Sequence, residues 1–282
     1  MMKAVLKFLK GLTKKKKVVS VVRLKGVISP GIGGFSQAPS LSFETMKKDI
    51  DKAFAEPGLV AVALSINSPG GAAVQAELIH KYIRALSHQK QVPTYSFVED
   101  VAASGGYWLA CTSDEIYASE NSIVGSIGVI AAGFGFTKAI QKLGIERRII
   151  VQGKNKSIYD PFLPVKEVDV NIVKSIQKDI YASFMKLVIE RRGPKLSKDL
   201  DKVFSGQFWS GKTGLSLGLI DGIGSLYEVM EAKYGKNIEY KFIAKEDSWL
   251  GRKLRGMFSS SSPVNEIINQ VKERMEFEKF FL

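Results

Sequence analysis

The sequence is short of the residues that build metal centres and disulfide frameworks. It contains one cysteine, Cys111, and two histidines, His80 and His88, in 282 residues. A single thiol excludes an intramolecular disulfide and a multi-cysteine zinc site. Two histidines give no basis for a His-rich metal centre, so no metal and no cofactor are expected. Long apolar runs are also missing at the N-terminus. A membrane-spanning helix needs about 20 mostly apolar residues, and a secretory leader needs an apolar core of about 7–15. Between Lys3 and Lys10 no apolar run exceeds three residues, so neither is expected. Acid is absent from residues 1–17, which hold seven lysines. More than half of the net charge of +13 therefore sits in that segment. The rest of the chain is only mildly basic, which argues against nucleic-acid binding.

What is present is the composition of a folded protein, with 45% hydrophobic and 24% charged residues, which excludes wholesale disorder. In residues 1–17, Met2, Val5, Leu6, Leu9 and Leu12 fall at helical spacing, with lysines on another face. A basic amphipathic segment of this kind suits the surface of an anionic membrane. The expected location is cytoplasmic or peripheral to the inner membrane.

From Val18 onward, strand and helix patterns alternate. Strands are expected over Val18–Leu24, Leu59–Ile66, Val92–Val98 and Glu115–Ala118, and helices over Phe43–Phe54, Val74–Leu86 and Asp169–Arg192. Residues 29–40 read as a loop. Leu59–Ile66 is a near-continuous apolar run, as in a parallel strand buried on both faces. The alternation predicts an α/β fold of right-handed crossover units. A Ser-rich linker at 259–262 precedes an amphipathic helix over Val264–Leu282. The expected domains are residues 1–17, 18–232 and 233–282.

Catalytic groups in open α/β sheets gather at the carboxyl ends of the strands. Two such ends here are rich in small residues. Asn67-Ser68-Pro69-Gly70-Gly71 follows a buried strand and opens a helix, so its backbone N–H groups can face an oxyanion or form a tight turn. Ala102-Ala103-Ser104-Gly105-Gly106-Tyr107 places Ser104 at a strand-to-helix junction. That position suits an exposed nucleophile, and it equally suits a helix cap. Cys111, on the same helix, reads as a small buried hydrophobe, and Trp108, Phe134 and Phe136 read as core or pocket-wall aromatics.

Taken together, I-N-S-P-G-G at 66–71, A-S-G-G-Y at 103–107, S-I-V-G-S-I-G-V at 122–129, K-S-I-Y-D-P-F at 156–162 and G-L-S-L-G-L-I-D at 214–221 resemble the signal peptide peptidase A (SppA/SohB) family of serine–lysine peptidases. That family lies within the ClpP/crotonase-like superfamily. The resemblance covers residues 18–232 and implies a ClpP/crotonase-like fold of repeated β-β-α units, a single domain with helical termini. It implies a serine endopeptidase acting on cleaved signal peptides or other membrane-associated hydrophobic peptides, working as a homo-oligomer. Ser104 would be the nucleophile and Lys156 the base. The oxyanion donors would come from Gly70 or Gly71 with Gly105, and the substrate would lie along Gly125, Ser126, Ile127 and Gly128.

No histidine follows His88, so a downstream histidine base is excluded. An ordinary lysine is only about 0.04% neutral at pH 7, whereas a lysine with a pKa near about 7.4 is roughly 30% neutral. Burial among Ile158, Tyr159 and Phe162 is the expected source of such a shift. Lys154 is the nearest rival, but the motif registers on Lys156. The competing readings are a crotonase-like acyl-CoA enzyme and a non-catalytic membrane-associated scaffold.

Overall fold

Residues 16–30 and 41–243 are described in a computed structural model of the chain. The expected amphipathic segment at the N-terminus, most of the 29–40 loop, the Ser-rich linker and the C-terminal helix lie outside the described residues.

Among the described residues, eight strands form one sheet in the order β6-β5-β3-β2-β1-β8, with β4 paired to β3 and β7 to β4. The central strands β1 (Lys17–Lys25), β2 (Leu59–Ser68) and β3 (Thr94–Ala103) run parallel. β4 (Glu115–Ala118) pairs with the first half of β3, and β5 (Ile123–Gly125) pairs with the second half. β6 (Phe208–Ser210) closes one edge antiparallel to β5. β7 (Gly222–Ile223) continues from β4, and β8 (Ile238–Ile243) closes the other edge beside β1. The sheet thus continues past residue 232, the domain end expected from the motifs.

The helices are α1 (Phe43–Ala55), α2 (Ala73–Lys90), α3 (Gly105–Ala110), α4 (Thr137–Lys142), α5 (Glu167–Arg192), α6 (Leu200–Val203), α7 (Gly211–Ser216) and α8 (Leu226–Tyr234). A reciprocal cap between Ser42 and Thr45 fixes the start of α1. One face of the sheet packs Leu24, Leu64 and Ile66 against Ile50 of α1, Ile79 of α2, Leu109 of α3 and Val188 of α5. The other face packs Val21, Ala63 and Phe97 against Met230 of α8. Cover on both faces explains why β2 reads as an unbroken apolar run.

This topology brings two chain reversals together. Ser68 of β2 lies opposite Ala102 of β3, so the loop leaving β2 and the junction leaving β3 open side by side at the carboxyl edge of the sheet.

Candidate active site

Ser104 occupies the single residue between β3 and α3, with φ 52° and ψ −121°. This backbone conformation is costly for any residue with a Cβ. The surroundings fix it from both sides. The Ser104 N–H donates to the Gly125 carbonyl at 2.8 Å, and its own carbonyl accepts from the N–H groups of Tyr107 and Trp108 at 2.9 and 3.0 Å. The following helix lies so close to β2 that a Cβ at Gly106 would sit 2.3 Å from the Ser68 carbonyl oxygen. The Ser104 side chain does not cap α3, so its hydroxyl is left for other work.

The I-N-S-P-G-G segment packs directly on this junction. The Ile28 N–H donates to the Gly70 carbonyl, and the Ala72 N–H donates to the Ile28 carbonyl, both at 2.8 Å. A Cβ at Gly71 would lie 2.0 Å from the Ile28 carbonyl oxygen, and one at Gly70 would lie 2.8 Å from both Ser104 Cβ and the Gly105 nitrogen. The N–H of Gly70 already donates to Ser68 Oγ at 3.2 Å. Among the described residues, those of Gly71 and Gly105 have no acceptor. Of the three expected oxyanion donors, Gly71 and Gly105 are therefore the free pair, and Gly70 is engaged.

Ser104, Gly71 and Gly105 line one groove of about 1070 Å³. Its apolar wall includes Trp108, Ile127, Tyr181, Phe184 and Phe204, with Trp108 and Phe184 stacked at 4.9 Å. Ser126 and Gly128 also line it. Gly125 and Ser126 both have positive φ, 104° and 54°, and this turns the chain out of β5 into the groove. The Gly125 carbonyl is taken by Ser104, and the Ser126 N–H by the Gln207 carbonyl at 2.7 Å. Of the expected Gly125–Gly128 stretch, Ser126, Ile127 and Gly128 thus line the groove, Gly125 does not, and these two backbone groups are engaged.

Lys156 stands apart. Its side chain is exposed and it does not line the groove. The expected burial among Ile158, Tyr159 and Phe162 does not occur within one chain. Phe162 instead packs beside Phe136, with ring centroids 5.7 Å apart, and beneath Arg147. Phe134 and Phe136, expected as core or pocket wall, are exposed as well. They lie on residues 128–165, whose first residues line the groove and which expose Ile130, Leu143 and Ile150.

A family model for peptidase family S49 matches residues 87–238, just over half of the chain. The chain belongs to peptidase family S49. It is 32% identical to Protease 4 of Haemophilus influenzae over 75% of this chain and 34% of that protein. It is 30% identical to the chloroplastic serine protease SPPA of Arabidopsis thaliana over 81% of this chain and 34% of that protein. A Brucella melitensis protein named Na(+)/H(+) antiporter NhaA is 47% identical over 87% of this chain, but only 33% of that protein is matched. The chain thus spans about a third of the length of these relatives. Among the described residues no helix is long and apolar enough to cross a membrane. A solved structure of the 1510-N membrane-bound stomatin-specific protease superposes with a TM-score of 0.52 at 16% identity, covering 81% of this chain and 98% of that one. The two share the ClpP/crotonase-like fold.

Behind the S49 junction lies a network that the sequence reading missed. The Tyr107 hydroxyl donates to the Leu219 carbonyl at 2.7 Å. Arg192 is 2% exposed, and its Nε and Nη2 donate to the Gly218 carbonyl at 3.0 and 2.9 Å. Its Nη1 pairs with Asp221 at 2.5 Å, and Lys195 reaches the other carboxylate oxygen. Burial pushes the Asp221 carboxyl up, but the bonds from Arg192, Lys195 and the Ile116 N–H outweigh it and hold the pKa below the ordinary value. This clamp ties the G-L-S-L-G-L-I-D segment and the end of α5 to the helix that begins beside Ser104. Cys111, on the same helix, is fully buried, and burial pushes its thiol up to about 12. It is inert packing, as expected.

Proposed function

We propose that the chain is a serine endopeptidase whose nucleophile is Ser104 and whose general base is Lys156 contributed by a neighbouring copy. The observation that carries this reading is the Ser104 hydroxyl held on a strained junction beside the free N–H groups of Gly71 and Gly105, at the head of an apolar groove. Neutral Lys156 takes the Oγ proton as Ser104 attacks the peptide carbonyl. The N–H groups of Gly71 and Gly105 stabilise the oxyanion. The lysine ammonium then protonates the leaving amine, and water releases the acyl group from Ser104. The substrate strand runs beside Ile127 and Gly128, with Ser126 at its side. The apolar wall suits hydrophobic peptides, including cleaved signal peptides.

The neighbouring copy enters because Lys156 is remote from the groove within one chain, on a segment that exposes large apolar side chains. Docking that segment on a second copy would cover those side chains and deliver the amine. Lys16 pairs with Glu239 and Lys17 opens β1, so residues 1–15, with five lysines, would attach the assembly to anionic membrane. Crotonase-like acyl-CoA chemistry needs carboxylates as acid or base, and among the described residues no aspartate or glutamate lines the groove.

The test is covalent labelling with a fluorophosphonate, read by peptide mass spectrometry, together with hydrolysis of an apolar quenched-fluorescent peptide. The label should map to Ser104, and S104A should lose both label and turnover. Hydrolysis that persists in S104A would overturn the proposal.

A further inference from the structure

The groove has a charge pattern that peptide hydrolysis alone does not require. Among the described residues, two of its lining side chains are charged, Lys174 and Lys178, and both are cations. They lie four residues apart on α5, and no ion pair or hydrogen bond engages either one among the described residues. The four acids of the same helix, Glu167, Asp169, Asp179 and Glu190, do not line the groove, and Glu190 pairs with Lys186. The next turns along this face present Tyr181 and Phe184, which belong to the apolar wall. One side of the groove therefore grades from cationic to apolar along a single helix. A cleft lined by charge of one sign concentrates ligands of the opposite sign and repels the like sign.

We infer that Lys174 and Lys178 determine specificity, selecting peptides that carry a carboxylate on the residues passing α5 while an apolar residue occupies the wall at Trp108 and Phe184. The carboxylate is an acidic side chain or a free chain terminus, since both present the same two oxygens to an ammonium. This inference rests on the peptidase reading and names the substrate class of that site.

The test uses quenched-fluorescent peptides with one apolar core and Glu, Gln or Lys at the flanking positions, plus a neutral pair ending in a free carboxylate or an amide. For the wild-type protein at low salt, kcat/KM for the Glu peptide should exceed that for the Gln peptide by about tenfold, through KM, and the Lys peptide should fall below both. The advantage should shrink at high salt and vanish in the K174Q/K178Q double variant. The terminal pair reports whether a chain-end carboxylate is read in the same way. Anisotropy binding of the same peptides to S104A gives the ratio as Kd, independent of turnover. Equal cleavage of the Glu and Gln peptides, or a Glu advantage that survives in the double variant, would overturn the inference. Cleavage of none of the peptides by the wild-type protein would instead overturn the peptidase reading itself.

Discussion

Ser104 and Lys156 are held in opposite ways. Around Ser104, the side chains of Ala102, Ala103, Tyr107 and Leu109 are fully buried, the backbone is fixed by close bonds, and a buried arginine braces the helix from behind. Around Lys156 the chain is open. Residues 128–165 leave Ile150 99% exposed, Ile130 85% and Phe134 82%, and a half-exposed Arg147–Asp160 pair ties the segment to itself. The described residues enclose the backbone at Ser104 and leave Lys156 exposed. This exposed apolar surface is where the proposed neighbouring copy would dock.

The contrast is broken most severely at the dyad. If the proposed dyad acts as a unit, S104A and K156A should each lower kcat/KM by about a thousandfold or more, with the double variant no worse. Mixing the two inactive proteins under subunit exchange should restore activity if the dyad forms between copies. Absence of recovery after verified exchange, with an active monomer in sedimentation, would place the lysine in cis and erase the contrast.

A second experiment compares bracing on the two sides. Arg192→Met leaves Asp221 with Lys195 and the Ile116 N–H alone and takes both guanidinium bonds from the Gly218 carbonyl, and losing one partner of a buried pair costs about 3–5 kcal/mol. The melting temperature should fall by about 10 °C for a domain of this size. Arg147→Met, in the open segment, removes a half-exposed pair worth at most about 1 kcal/mol and should shift melting by about 2–4 °C at most. Equal shifts would mean that the segment is braced as firmly as the junction.

A third experiment addresses the uncovered side chains. F134D/I150D should move the sedimentation profile toward monomer and make activity more dependent on concentration. Its effect on the melting of the isolated chain should be small, since surface substitutions away from packed features stay within about 0.5 kcal/mol. An unchanged oligomer would show that those residues are not the contact.

The smallest effect is one of pH and belongs to the braced side. Burial lowers the His80 pKa from 6.5 to about 4, with Arg191 and Arg84 adding to the shift, and its ring bonds Thr112 at 3.1 Å. The unfolded chain therefore binds the extra proton between these values, and the folded chain does not. His80 contributes stability that is present above about pH 6.5 and is lost as pH falls toward 4. H80Q should flatten the melting-temperature profile in that window. A slope equal to wild type would assign it to other groups.

The sequence made the strand-to-helix junction legible because its signals are local. Small residues, a strand pattern and a helix pattern meet within six positions at Ala102–Tyr107. The long helices α1 and α5 and the buried strand β2 were legible from their periodicity for the same reason. What was not legible depends on distant partners. Nothing in the neighbourhood of Arg192 announces Asp221, which lies 29 residues away in sequence. The aspartate that ends G-L-I-D was the signal available, and it has meaning only beside a buried cation. The engagement of Gly70 by Ser68 was equally hidden, since either glycine of the pair satisfies the motif. Phe134 and Phe136 were misread because aromatics usually go inside, and a single chain gives no inside to residues 128–165.

The backbone at Ser104 has one more implication. A residue with a Cβ held in this conformation costs about 1–3 kcal/mol. Glycine would relieve that cost while adding about 0.5–1 kcal/mol of freedom to the unfolded chain. The S104G protein, which the proposed mechanism makes inactive, should therefore be at least as heat-resistant as the natural one. If so, selection keeps this serine against the interest of the fold, and the protein is less durable for the sake of the one hydroxyl it exposes.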